Sequence, residues 1–163
     1  MDERQPQRPL VEAGRVFERL SEFPLRAFEA GDVVLHEGNA TNRLLVLQNG
    51  TVDVVKDDVL LARVSQQGAV FGDMAVILGQ AHTADVLAST PSSFFVIEDA
   101  RRVLESDADL GRYLLVELAK RLDDINRLLI DARAALIEAE SRHGHLHEVI
   151  LRIGRALNLG ARS

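Results

Sequence analysis

Hydrophobic and polar positions change period twice along this 163-residue chain. Over residues 10 to 22, "LVEAGRVFERLSE", Leu10, Val11, Val16, Phe17 and Leu20 share much of one helical face and predict a short amphipathic helix. From about residue 24 to 98 the period becomes two. The stretches "LRAFEAGDVVLHEGN", "RLLVLQNGTVDVVKDD", "VLLARVSQQGAVFGD" and "HTADVLASTPSSFFVIED" read as short strands with turn signals between them. Asn49-Gly50 predicts a hairpin turn. Gly31-Asp32, Gly38-Asn39, Asp57-Asp58 and Gln67-Gly68 mark further corners. About eight strands at this spacing predict a jelly roll or barrel. Between Asp73 and Leu78 the alternation breaks, and "DMAVIL" fits one helical turn inserted between two strands.

From about residue 99 the pattern is helical again. "DARRVLES" predicts a short helix, and Asp107 is a fitting N-cap for the next one, about 108–140. Along that helix Leu115, Leu118, Leu122, Ile125, Leu129, Ala132, Leu136 and Ala139 recur at alternating spacings of three and four, a heptad seam. A single roll does not cover so long a helix, so a parallel homodimer through Leu115, Leu118, Leu122, Ile125 and Leu129 is expected. The register continues through His143, Leu146, Ile150, Ile153 and Leu157, with a break or kink open at Gly144. The expected fold class is therefore mainly β with helices (α+β): an eight-stranded antiparallel jelly roll between an N-terminal helix and a long C-terminal helix. The expected organisation is a flexible stretch 1–9, a domain 10–140 and an amphipathic segment 141–163.

Composition narrows the function classes. Apolar residues make up 47% of the chain, which excludes a disordered polar polymer. With no cysteine, disulfide frameworks, cysteine nucleophiles and cysteine-ligated clusters are excluded. The N-terminus "MDERQPQRP" lacks an apolar signal core, and no apolar run is long enough to span a bilayer. A cytoplasmic location without membrane association is expected. The formal net charge of -6 moves the expectation away from nucleic acid. No G-x-S-x-G, Walker or dinucleotide motif is present, so no enzymatic activity and no resident cofactor are expected.

The segment "FGDMAVILGQAHTAD", residues 71 to 85, carries the candidate chemistry. Gly72 allows a tight turn beside a ligand. The helical turn begun near Asp73 aims N–H groups outward, an arrangement that favours anions. Thr83 carries a hydroxyl donor, and Asp73 is an acceptor suited to a sugar hydroxyl. The order of elements, with this segment late in the roll, resembles the cyclic nucleotide-binding domain family, which includes the catabolite activator protein and FNR-like sensors. The resemblance covers roughly residues 10 to 140. Its phosphate-binding cassette matches at Phe71, Gly72, Asp73, Met74 and Ala75, then at His82, Thr83 and Ala84.

The resemblance implies a non-enzymatic regulatory module that binds cyclic AMP or cyclic GMP and relays ligand state through its C-terminal helix. It also implies that Asp73 stands where the family's glutamate holds the ribose 2′-hydroxyl, and His82 where its arginine pairs with the cyclic phosphate. Arginine is permanently charged and bidentate, whereas histidine titrates near 6.5. His82 reads either as a neutral or pH-sensitive phosphate donor or as a barrel residue in a fold that has lost its nucleotide. Arg43 and Arg63 are candidate replacement charges. Asp85 should face away from His82 and Ala84 by alternation.

Two alternatives stay open: a degenerate fold acting as a protein-interaction or structural dimer module, and a sensor of another anionic ligand or of haem, with His36, His82 and the tail histidines as candidate ligands. "HGHLHE" brings three histidines together but lacks a zincin glutamate, so a solvated stretch is expected and no metal site. Residues 141–163 hold four arginines against one glutamate and are amphipathic, which fits a docking segment for a protein partner. About twenty residues there are too few for a helix-turn-helix, so no DNA binding in the family's manner is expected.

Overall fold

The computed structural model describes residues 13–143 and residue 153. The predicted stretch 1–9, the histidine cluster beyond His143, the break at Gly144 and all but the first few residues and Ile153 of the 141–163 segment lie outside the described residues. The element order is α1 (Ala13–Leu20), β1 (Leu25–Phe28), β2 (Val33–Leu35), β3 (Leu44–Asn49), β4 (Val52–Lys56), β5 (Val59–Val64), β6 (Val70–Phe71), α2 (Asp73–Leu78), β7 (Asp85–Ala88), β8 (Ser92–Ile97), α3 (Ala100–Ser106) and α4 (Ala108–His143). All strand pairs are antiparallel and form two four-stranded sheets, ordered β1-β8-β3-β6 and β2-β7-β4-β5. This is the expected jelly roll.

Alternation sets the core. Leu45 and Leu47 on β3, Phe94 and Val96 on β8, and Val86 and Ala88 on β7 face between the sheets and are buried. Phe94 is fully buried, with Phe28 and Phe71 edge-on at 5.6 and 6.0 Å between ring centroids. That geometry lets the positive ring edge meet the negative ring face. Leu44, Val46 and Ile97, of opposite parity, are buried too, as are Val16 and Leu20 of α1, Ala100 of α3, and Leu110 and Leu114 of α4. They form a second apolar set outside the inter-sheet core.

The turn at Asn49-Gly50 is not the hairpin that its sequence predicts. β3 and β4 belong to different sheets, so the chain crosses from one layer to the other there. Gly50 has φ +108°, and a Cβ on it would lie 2.2 Å from Ser92 Oγ, so β8 packs against the turn and leaves room only for glycine. The two-residue hairpin is instead Asp57-Asp58, which joins β4 to β5 with Lys56 opposite Val59 and both aspartates at positive φ, +48° and +61°. Positive φ at both central residues is the type I′ pattern, whose twist matches paired strands.

α4 begins as predicted. Asp107 Oδ1 accepts the N–H groups of Asp109 and Leu110 at 3.1 Å each, and Asp107 Oδ2 accepts from Arg19 Nε of α1 at 2.7 Å. The Tyr113 hydroxyl donates to the carbonyl of Gly68, just ahead of β6. The chain divides into two compact units, Met1–Glu117 and Leu118–Ser163. In the second, Leu122, Ile125 and Leu129 of the seam are exposed. Replacing the cap, Asp107→Ala, strips partners from two helix-terminal donors and from Arg19. Chemical denaturation should give a loss of about 1–2 kcal/mol.

Candidate functional site

The segment 71–85 starts in the core and ends at the surface. Phe71 closes β6 and packs on Phe94. Gly72 follows at φ +83°, a conformation that L side chains rarely adopt. A Cβ on Gly72 would lie 2.5 Å from the Arg43 carbonyl oxygen and 3.6 Å from His82 Cε1. The glycine therefore allows β6 to turn into α2 directly against the entrance of β3. Within α2, Asp73, Ala75 and Val76 are buried, while Met74, Ile77 and Leu78 are exposed. The first helical hydrogen bond runs from Val76 N–H to the Gly72 carbonyl. The N–H groups ahead of Val76 are those that a short helix must satisfy outside itself. Gly79, at φ +66°, closes the helix by donating to Ala75, and Arg101 Nη2 of α3 donates to the Val76 carbonyl at 3.0 Å. A cation thus sits at the negative end of α2 and ties it to α3.

The second half of the segment splits in two. His82 is 6% exposed. Its Nε2 is 2.8 Å from Thr41 Oγ1, its N–H donates to the Asn39 carbonyl and its own carbonyl accepts from Gly38. Burial lowers its pKa below 6.5, which favours the neutral ring. Thr83 and Ala84 are not on a strand; β7 begins at Asp85. Thr83 is exposed and Ala84 half-buried. The Thr83 carbonyl accepts from Lys56 Nζ at 2.8 Å, and the same ammonium pairs with Glu37 Oε1 at 3.0 Å. The bond to Glu37 raises the Lys56 pKa. Asp85 turns to the loop after β2: it accepts the Glu37 N–H at 2.7 Å and lies 3.7 Å from His36 Nδ1.

Beside His82 lies a cavity of about 150 Å³ with a polar rim of Arg26, His36, Asn39, Thr41, Arg43 and His82 over Leu35, Leu45 and Val96. Of the eight residues singled out by sequence, His82 alone lines it. The volume is below the roughly 300–1,000 Å³ usual for pockets that enclose a drug-sized ligand. Of the two arginines considered as replacement charges, Arg43 is at this cavity, paired with Glu98 at 2.7 Å. Arg63 is elsewhere, bound through Nε and Nη2 to Asp53, whose pKa it holds down at about 2. Lys56, Arg26 and Thr41 were not singled out by sequence. Parity would have found the two cations: Lys56 continues the inward series Val52, Val54, and Arg26 shares a face with Phe28. As haem ligands the described histidines fare poorly, since His82 Nε2 is engaged by Thr41 and His36 lies by Asp85. Among the described residues no cluster of His, Cys, Asp and Glu suits a metal ion, and no helix is long and apolar enough to cross a membrane.

A profile of the cyclic nucleotide-binding domain family matches residues 25–106. A cyclic nucleotide-gated channel of Caenorhabditis elegans is 26% identical over 148 residues, which cover 85% of this chain and 20% of the channel. The chain thus spans about a fifth of that relative's length. Among solved structures, the catabolite activator protein of Thermus thermophilus superposes with a TM-score of 0.62 at 18% identity, covering 91% of this chain and 84% of that one. A cyclic nucleotide-binding domain from Methylobacillus flagellatus KT superposes at 0.55 with 23% identity, covering 82% and 85%.

The burial of His82 has a pH consequence. Its folded pKa lies below its unfolded value, so as pH falls the unfolded chain takes up the proton first. Stability contributed by the neutral ring is present above pH 6.5 and declines as pH falls through the folded value. Titration by NMR should give His82 a pKa below 6.5. His82→Gln should flatten the fall in thermal stability just below pH 6.5.

Proposed function

The chain belongs to the cyclic nucleotide-binding domain family, and from that premise we propose that it is a regulatory module that binds cyclic AMP or cyclic GMP at segment 71–84. In this reading the N–H groups entering α2 and the Thr83 hydroxyl hold the cyclic phosphate. Asp73 accepts from a sugar hydroxyl; one methylene shorter than glutamate, it draws the sugar close to α2. Phe71, Met74, Ala75 and Ala84 shape the cradle. The observation that carries the reading is Lys56 Nζ, 2.8 Å from the Thr83 carbonyl on the inward face of β4. It brings a permanent positive charge to the cassette, whose arginine position holds a neutral imidazole. Phosphate competes with Glu37 for that ammonium, and the charge-assisted bond contributes about 1.5–3 kcal/mol, ten- to a hundredfold in affinity.

Ligand drawn onto α2 acts on α3 through the Arg101–Val76 bond and shifts a pre-existing equilibrium of the helices that follow. The output is a homodimer through Leu115, Leu118, Leu122, Ile125 and Leu129. The second reading, an interaction or structural dimer module without nucleotide, is favoured by one observation: the ring at position 82 is buried, neutral and engaged by Thr41.

Calorimetric titration with each nucleotide separates them. On the first reading at least one binds. Its affinity is unchanged between about pH 7 and 8.5, because His82 is neutral throughout, and falls about ten- to a hundredfold in Lys56→Met. No heat at about millimolar nucleotide selects the second reading. For the assembly, Leu122→Glu with Leu129→Glu should elute as a monomer on sizing, and a dimer that survives both charges removes the seam as interface.

A further inference from the structure

We propose that the cavity between Arg26 and Arg43 is a binding site for a small inorganic oxyanion, phosphate or sulfate, separate from the nucleotide cassette. Two exposed arginines line this cavity. Arg26 shares the inner face of β1 with Phe28, its guanidinium carbon 4.8 Å from that ring's centroid. Arg43 precedes Leu45 and Leu47 in the inward series of β3. Both are exposed, so solvent already screens them, and what they offer a ligand is a pair of guanidinium groups on one cavity wall. Glu98, from the end of β8, pairs with Arg43 at 2.7 Å. Among the described residues Arg26 has no carboxylate partner. The lining holds these two arginines and no carboxylate.

The rest of the wall suits an oxyanion. Thr41 and Asn39 bring hydroxyl and amide donors, and His82 is nine-tenths buried with Nδ1 in no hydrogen bond among the described residues. Guanidinium groups bind tetrahedral oxyanions through paired N–H donors. The volume, about 150 Å³, equals the liquid volume of about five waters at roughly 30 Å³ each. That is room for one hydrated inorganic anion. Asp85 and Glu37, the acids nearest His36, are turned to each other's loop and to Lys56. The site shares only His82 with the cassette. Gly72 is the contact between them: a Cβ there would meet the Arg43 carbonyl on one side and His82 on the other.

The test uses the full chain, ¹⁵N-labelled, at constant ionic strength. Sodium phosphate and sodium sulfate are titrated with sodium chloride as control, and a separate sample receives cyclic nucleotide. Saturable shifts at residues 26, 36–43 and 82 are expected with phosphate or sulfate and not with chloride. Arg26→Gln should weaken them at least about tenfold; if that variant loses folded dispersion, Arg43→Gln carries the comparison. Non-saturating shifts equal to those of chloride overturn the proposal. So do shifts confined to 71–75 and 83–84, or wild-type affinity in Arg26→Gln. Saturation by phosphate with no response to nucleotide leaves this site standing and removes the nucleotide reading. The reverse pattern does the opposite.

Discussion

Gly72 sits where β6 turns into α2, with the Arg43 carbonyl 2.5 Å from the place a Cβ would occupy and His82 just beyond. Three consequences follow from that close approach. β6 pairs with β3 through only Leu45–Phe71 and Val46–Val70 before the chain leaves the sheet. α2 starts at a fixed point against the mouth of the roll. And the loop that closes the segment must return past Arg43, which brings the His82 ring under Thr41. A substitution at Gly72 would have to move backbone rather than a flexible side-chain tip, so its cost would spread to β3, α2 and the His82 loop together.

The charges at this end of the roll follow the two sheets. On β1, β3 and β8 the inward series end in Arg26, Arg43 and Glu98; on β4 the inward series ends in Lys56, held by Glu37. Glu98 pairs with Arg43 and Glu37 with Lys56. These pairs are partly exposed, so their contribution to stability is small. Their weight lies in what they make available: cations already oriented, at the cost of exchanging one carboxylate for another anion.

Much of the fold was legible because its signals are local. Alternation in "LLVLQN" and "SSFFVI" marked β3 and β8, the broken period in "DMAVIL" marked α2, and Asp107 announced the start of α4. Asn49-Gly50 misled because a tight turn with a positive-φ glycine serves a hairpin and a sheet crossover equally well. Ser92, forty-two positions away, packs against Gly50 in the crossover, and no local pattern encodes that contact. The candidate site was legible as a motif and not as a set of partners. His82 was read as the doubtful member, and its bond to Thr41 is a contact across forty-one positions. Lys56 and Arg26 are single charged residues at the ends of apolar series, where fraying strands commonly carry charge. Only the closure of the roll brings them beside the segment.

The imidazole at position 82 and the two inward arginines constrain each other. An arginine there would bring a third permanent charge to a cavity of about 150 Å³ whose lining holds no carboxylate, Arg43 being paired with Glu98 outside it. Like charges at one mouth repel, and the exposure of both arginines weakens that repulsion through solvent screening. A neutral ring removes that repulsion, fills the space above Leu45 and Val96, and satisfies Thr41. Positive charge at the mouth therefore resides on strand ends, at Arg26, Arg43 and Lys56, rather than on the loop that carries His82. The loop itself is held by backbone contacts of His82 to Asn39 and Gly38. On the proposed reading a ligand acts through side-chain exchange at Glu37 and Glu98 and through α2, whose carbonyl end is held by Arg101 of α3.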